Sequence, residues 1–168
     1  MTDINSDGVA KLAERVQRLE DIEAIKALKA RYCARCDDGY DSDGIAELYT
    51  EDAVWDGGNT FGVREGRAAI RKHFEGAASR VSIARHHVMN PVIEVDGDTA
   101  AGQWLLFQPC TDRGIDGAVW LAATYYDQYR RVDGRWLIHH TKIDVAFFTP
   151  FDKGWTVERF LPGRAPTD

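Results

Sequence analysis

The stretch LAATYYDQYRRVDGRWLIHHTKIDVAFF, residues 121–148, carries the clearest structural signal in this chain. Asp133-Gly134 at its centre is a strong signal for a tight β-hairpin turn, because both residues tolerate the left-handed backbone that such turns require. The flanks are rich in Val, Ile, Tyr, Trp and Thr, which suit a pleated, half-buried surface. The stretch therefore reads as two long, neighbouring antiparallel strands. Toward the N-terminus the same composition runs back to Ala84, broken by Asp96-Gly97-Asp98 and by the turn-forming residues 112–117. Four strands joined by turns are expected from there onward.

Ahead of the strands the period changes. Leu12, Val16, Leu19, Ile22, Ile25, Leu28 and Tyr32 recur at helical spacing over residues 10–36, with Glu, Lys and Arg between them, which predicts a long amphipathic helix. The cluster DDGYDSDG, residues 37–44, should end it. Asp43 is placed to cap a short second helix through Ala46, Leu48 and Tyr49, and a third is expected over Arg67–Ala78 behind Gly66. Helices first and a curled antiparallel sheet afterwards make an α+β arrangement, and a curved sheet closed by helices leaves a cavity. A single domain over residues 1–160 is expected, with 161–168 as a loosely ordered tail because it holds two prolines and a glycine.

The chain of 168 residues carries a net charge of -6, and its 21 Lys and Arg residues are scattered. Nucleic acid is therefore not an expected partner. No apolar run reaches bilayer length and the N-terminus lacks a secretory layout, so a cytoplasmic protein with no membrane partner is expected. Cys33, Cys36 and Cys110 are an odd number, which fits free thiols better than a disulfide framework.

Few residues stand out as chemical candidates. Asp37 sits where the first helix ends, a place that disfavours an anion because the helix C-terminus carries partial negative charge. The alternative is that Asp37, Asp38, Asp41 and Asp43 are turn residues that satisfy backbone donors. Tyr32 lies on the apolar stripe, so its hydroxyl needs a partner inside; a helix lining a cavity would bring it near the Asp37 carboxylate. His86 and His87 open the first long strand, and alternation sends one imidazole inward and the other outward. An inward histidine paired with a carboxylate is a competent general base.

His139 and His140 repeat that ambiguity, but no metal-binding spacing is present, and Cys33-x-x-Cys36 lies alone inside a helix. Trp55, Trp104, Trp120, Tyr125, Tyr126, Phe147 and Phe148 offer aromatic surface for a core or for a flat ligand. No glycine-rich phosphate loop and no Gly-x-Ser-x-Gly elbow occur. Neither a metal nor another cofactor is expected.

Taken in order, LEDIEAIKALKARYCARCDDG (19–39), LYTEDAVW (48–55), GRAAIRKHF (66–74), ARHHVMNPVIEVDGDTAAGQW (84–104) and DQYRRVDGRWLIHHTKI (127–143) resemble the SnoaL-like branch of the nuclear transport factor 2-like superfamily. Within it the blocks are similar to bile-acid 7α-dehydratases, scytalone dehydratases and the hexachlorocyclohexane dehydrochlorinase, all cofactor-free lyases. The resemblance implies a cone-shaped curved sheet packed on three N-terminal helices, and it lays the family's His–Asp pair on His86 and Asp37. It also matches Tyr32 to a tyrosine of the bile-acid enzymes. Gln108 stands where those enzymes carry an aspartate, and Thr141, Lys142 and Val145 occupy the region where relatives place an arginine. The activity implied is that of a dehydratase acting on a hydrophobic cyclic substrate such as a steroid or aromatic metabolite. His86, Asp37 and Tyr32 would be catalytic, and Trp55, Trp104, Gln108 and Tyr125 would contact substrate. An isomerase using the same pair, or a non-catalytic binding module, would fit the same pattern. A homo-oligomer, dimer or trimer, is implied as well.

Overall fold

A computed structural model describes residues 6–165. The first helix, α1, runs over Ser6–Asp37, and the turn cluster ends it as expected. Its buried face begins only at Asp21 and continues through Ile25, Leu28, Tyr32, Cys33 and Cys36. Leu12 and Leu19, predicted to share that buried stripe, are 58% and 63% exposed. Periodicity identifies which residues share a helix face, not what covers it, and no described residue of α1 before Asp21 is buried.

The second helix, α2, spans Ser42–Ala46 and is capped by Asp41, whose side chain accepts from Gly44 N–H, rather than by Asp43. Tyr49, expected at the end of that helix, instead opens β1, Tyr49–Asp56. A single-turn α3 (Gly58–Phe61) and a short β2 (Val63–Glu65) follow, and then α4 (Arg67–Ala77) comes close to its expected span. The remaining strands are β3 (His87–Asp96), β4 (Thr99–Asp112), β5 (Gly117–Val132) and β6 (Arg135–Pro150). Their turns fall at the three predicted breaks. Asp133 and Gly134 both take positive φ, 50° and 75°, as a two-residue hairpin with right-handed strand twist demands.

The sheet has six strands in the order β2-β1-β6-β5-β4-β3, two more than expected. It is antiparallel except that β1 runs parallel to β6, with Trp55 opposite Thr141. Alternation along β4 and β5 turns Trp104, Leu106, Gln108 and Cys110 to the same interior as Leu121, Ala123 and Tyr125. The buried side chains of α1 and α4, among them Ile25, Leu28, Ile70 and Phe74, join that core.

One ion pair sits inside it. Lys29 Nζ, 2.7 Å from Asp127 Oδ2, is fully buried along with its partner. Tyr129 donates its hydroxyl to the same oxygen at 2.8 Å, and Trp104 Nε1 donates to Tyr129 at 3.0 Å. Lys29 Nζ also lies 3.4 Å above the Tyr125 ring centroid.

The described part of the tail is pinned to the fold. Leu161 is buried with its N–H on the Phe148 carbonyl, and Thr60 and Arg164 bond reciprocally through Thr60 Oγ1 to Arg164 O and Arg164 Nη1 to Thr60 O. Positions 166–168 of the expected loose tail lie outside the described residues. Among the described residues no helix is long and apolar enough to cross a membrane.

Candidate active site

The residues between α4 and β3 are tied to β4 by Arg85 N–H on the Pro109 carbonyl and by an Ala84–Cys110 bridge. That anchoring fixes the alternation at the histidine pair. His86 turns inward with its side chain 4% exposed, and His87 points to solvent. The last residue of α1, Asp37, meets it. His86 Nδ1 lies 2.6 Å from Asp37 Oδ1, and the His86 backbone N–H also reaches both carboxylate oxygens, at 3.0 and 3.2 Å.

A carboxylate can only accept, so Nδ1 carries the proton and donates it. The lone pair then stands on Nε2, the other ring nitrogen. These donors also answer the objection to an anion at a helix C-terminus, since they supply positive partial charge where the helix supplies negative. Arg85 contributes by donating to the Asp37 main-chain carbonyl at 3.3 Å. Of the neighbouring acids, Asp41 takes the turn role, accepting from Gly44 N–H while pairing with Arg35, whereas Asp43 pairs with Arg71 of α4.

His86 borders a cavity of about 270 Å³. Tyr32, Trp55, Gln108 and Tyr125, all expected at the site, line it. Tyr32 does not turn its hydroxyl to Asp37, however; its partner is Trp55 Nε1 at a long 3.5 Å. Burial holds the Tyr32 phenol well above its ordinary pKa, so it is a neutral donor. Trp104 is a correction. It belongs to the buried Lys29–Asp127 network and is absent from the cavity wall, because β4 meets the cavity through Leu106, Gln108 and Cys110, further along the strand. His139 and His140 do not line the cavity either: His139 Nδ1 sits 3.1 Å from Thr50 Oγ1, and His140 Nε2 is buried without a partner. Cys33 and Cys36 are buried free thiols, their pKa pushed up by burial.

Sequence reasoning missed several lining residues. Tyr40, at φ 58° directly after Gly39 at φ 65°, swings back over the helix end. Its ring packs edge-on to His86 and stacks on Phe74. The Gly39 signal was legible as a turn, but the direction in which the turn would throw Tyr40 was not. The His73 ring on α4 lies 4.5 Å from that of Trp55, tilted by 37°. Burial first, and then the charges of Arg64 and Arg80, hold its imidazole down at about 4 against an ordinary 6.5.

That depression has a measurable result. Between 6.5 and about 4 the unfolded chain binds a proton at His73 that the folded chain refuses, so stability falls as the pH drops through this window. The ring is partly exposed, which keeps the slope shallow. Urea midpoints should decline toward acid across that range, and His73→Phe should flatten the decline; an unchanged slope in the variant refutes the assignment.

Several solved structures share this architecture. A protein provisionally called an aromatic ring hydroxylase, from Novosphingobium aromaticivorans, is similar at 26% identity, covering 79% of this chain and 94% of its own, with a TM-score of 0.73. A protein of the same organism provisionally called scytalone dehydratase gives 22% identity, 80% and 89% coverage and 0.73. The hexachlorocyclohexane dehydrochlorinase type 3 of Novosphingobium barchaimii gives 22%, 82% and 94%, and 0.74. The architecture is the one described as nuclear transport factor 2-like with a cystatin-like fold. No curated protein matches the chain. The model of the SnoaL-like domain matches residues 17–142, a span that takes in Asp37, His86 and the whole β5–β6 turn, and on that match the chain belongs to the SnoaL-like domain family.

Proposed function

We propose that the protein is a cofactor-independent lyase of the dehydratase type, acting on a hydrophobic cyclic substrate in the cavity beside His86. The observation that carries this reading is the 2.6 Å bond from a buried imidazole to Asp37, which leaves the second ring nitrogen free for proton transfer at an apolar wall.

In the proposed step, His86 Nε2 takes the proton from the carbon beside a carbonyl. The freed electron pair forms the carbon–carbon double bond as the hydroxyl on the next carbon departs. That hydroxyl takes the proton back from the imidazolium and leaves as water. Asp37 orients the ring and stabilises its charged form; it is a positioning residue. The neutral Tyr32 hydroxyl and the Gln108 amide are the donors available to the carbonyl oxygen, whose charge grows in the transition state. A cavity of about 270 Å³ lies near the small end of ligand pockets, which begin at roughly 300 Å³. It suits one- and two-ring molecules better than a steroid.

The test is product analysis. Cyclic β-hydroxyketones of one and two rings, incubated with the purified protein and no added cofactor, should yield the conjugated enone with loss of one water by mass. A product of unchanged mass would favour double-bond migration by the same pair, and tight binding with no turnover across the panel would leave only a binding module.

A further inference from the structure

The cavity is apolar within, yet its solvent end is not neutral. Arg64 on β2, Arg80 just beyond α4 and Arg164 in the tail all border it, and they are half-buried or exposed where Tyr32 and Tyr125 deeper in are fully buried. Among the described residues, Asp112 is the one lining carboxylate against these three guanidiniums, and its Oδ1 is already taken by Gly114 N–H. A positive mouth on a chain of net charge -6 runs against the overall balance.

Elsewhere some arginines are neutralised, while others, such as Arg18, Arg31 and Arg135, have no carboxylate within ion-pair distance among the described residues. Arg35, Arg67, Arg71, Arg130 and Arg131 are each paired with a carboxylate. Among the described residues, none of the three at the mouth is. Arg64 spends one N–H on the Val63 carbonyl and Arg164 one on the Thr60 carbonyl, which leaves donors on each, since a guanidinium has five. One of the three is anchored by the fold. Arg164 is held at both backbone and side chain by the buried Thr60. Arg64 folds back over Gly62, its Nη1 2.8 Å from where a Cβ would stand.

We propose that Arg64, Arg80 and Arg164 form an anion subsite at the cavity mouth, so that the molecule taken up is a hydrophobic ring bearing a carboxylate or an equivalent oxyanion. The proposal rests on the cavity being the substrate pocket. It narrows the substrate class from cyclic and hydrophobic to cyclic, hydrophobic and acidic. The fork of donors on arginine matches the two oxygens of such a group. The His73 imidazole, held down first by burial and then by the charges of Arg64 and Arg80, has both of these guanidiniums near it on the cavity wall.

Binding tests this without any turnover. 2-Naphthoate and its neutral isostere 2-naphthamide should be titrated into the full chain by calorimetry. The expected result is a preference for naphthoate of about tenfold or more. In the combined Arg64→Gln, Arg80→Gln, Arg164→Gln variant the ratio should fall to about one, while naphthamide binds as before and so reports an intact pocket. Equal binding of the two probes by the wild type, a preference that survives in the variant, or no naphthoate binding at millimolar concentration would each overturn the subsite. Displacement of naphthoate by equimolar inorganic phosphate would overturn it in favour of a free-anion site. Failure here is separable from failure of the lyase reading. A His86→Ala protein that keeps both its turnover and its naphthoate preference sinks the dyad alone, and a wild type that dehydrates neutral ketones without preferring naphthoate sinks the subsite alone.

Discussion

Replacing His86 with alanine should lower kcat about 100- to 10,000-fold, the range that a positioned general base supplies. The imidazole bonds to Asp37 and packs edge-on to Tyr40, but it belongs to the cavity wall rather than to the cluster of fully buried side chains, so the fold should survive. Asp37→Asn should fall in the same range by a different route. An amide facing Nδ1 either presents its NH₂, which forces the wrong tautomer, or its oxygen, which accepts the bond without the full negative charge that supports an imidazolium. The double variant should be little worse than either single one, because each disables the same unit. His87→Ala is the control: that side chain faces solvent and its loss should change nothing. The measurement is kcat and KM for the four variants on a substrate found by product analysis, with circular dichroism to confirm folding. Normal kcat in His86→Ala would end the assignment.

Lys29→Met is expected to cost about 3–5 kcal/mol of stability, the usual penalty for removing one partner of a buried ion pair. Asp127 is fully buried, its Oδ1 has no hydrogen-bond partner, and its Oδ2 would keep only Tyr129. The methionine would fill the volume over the Tyr125 ring, so the loss measures the stranded charge rather than a cavity. Adding Asp127→Asn should recover most of it, because the amide oxygen still accepts from Tyr129 without a charge to desolvate. Urea midpoints of the wild type, the single and the double variant decide the matter. A single variant within about 1 kcal/mol of wild type would show that the pair is dispensable.

The two regions of the chain were not equally legible. The β-hairpin at Asp133-Gly134 and the breaks at 96–98 and 112–117 rest on turn chemistry that acts within a few residues, and each was placed from the sequence. The segment from Tyr49 to Glu65 was not. Its β1 is held by parallel pairing to β6, some 90 residues away, and no local pattern announces a partner so distant. Tyr49 was read as helix because it follows Ala46 and Leu48 closely; in the fold its ring is buried against Thr141 of β6.

The same division runs through the candidate site. Period, turn residues and counting were enough for the α+β class, the helix end at Asp37 and the free-thiol cysteines; of the histidine pair only His87 opens a strand, β3, and His86 lies just before it. Folding was needed to settle which histidine turns inward and that Asp37 is its partner. It also made Trp104 an anchor of a buried charge network, brought Tyr40 to the cavity and set Arg64, Arg80 and Arg164 on the border of the same cavity. The cause is separation along the chain. Asp37 and His86 lie 49 positions apart, and Thr60 and Arg164 lie 104 apart. Backbone preference acts between neighbours, and contacts of that span exist only once strand alternation and sheet curvature have brought their elements together.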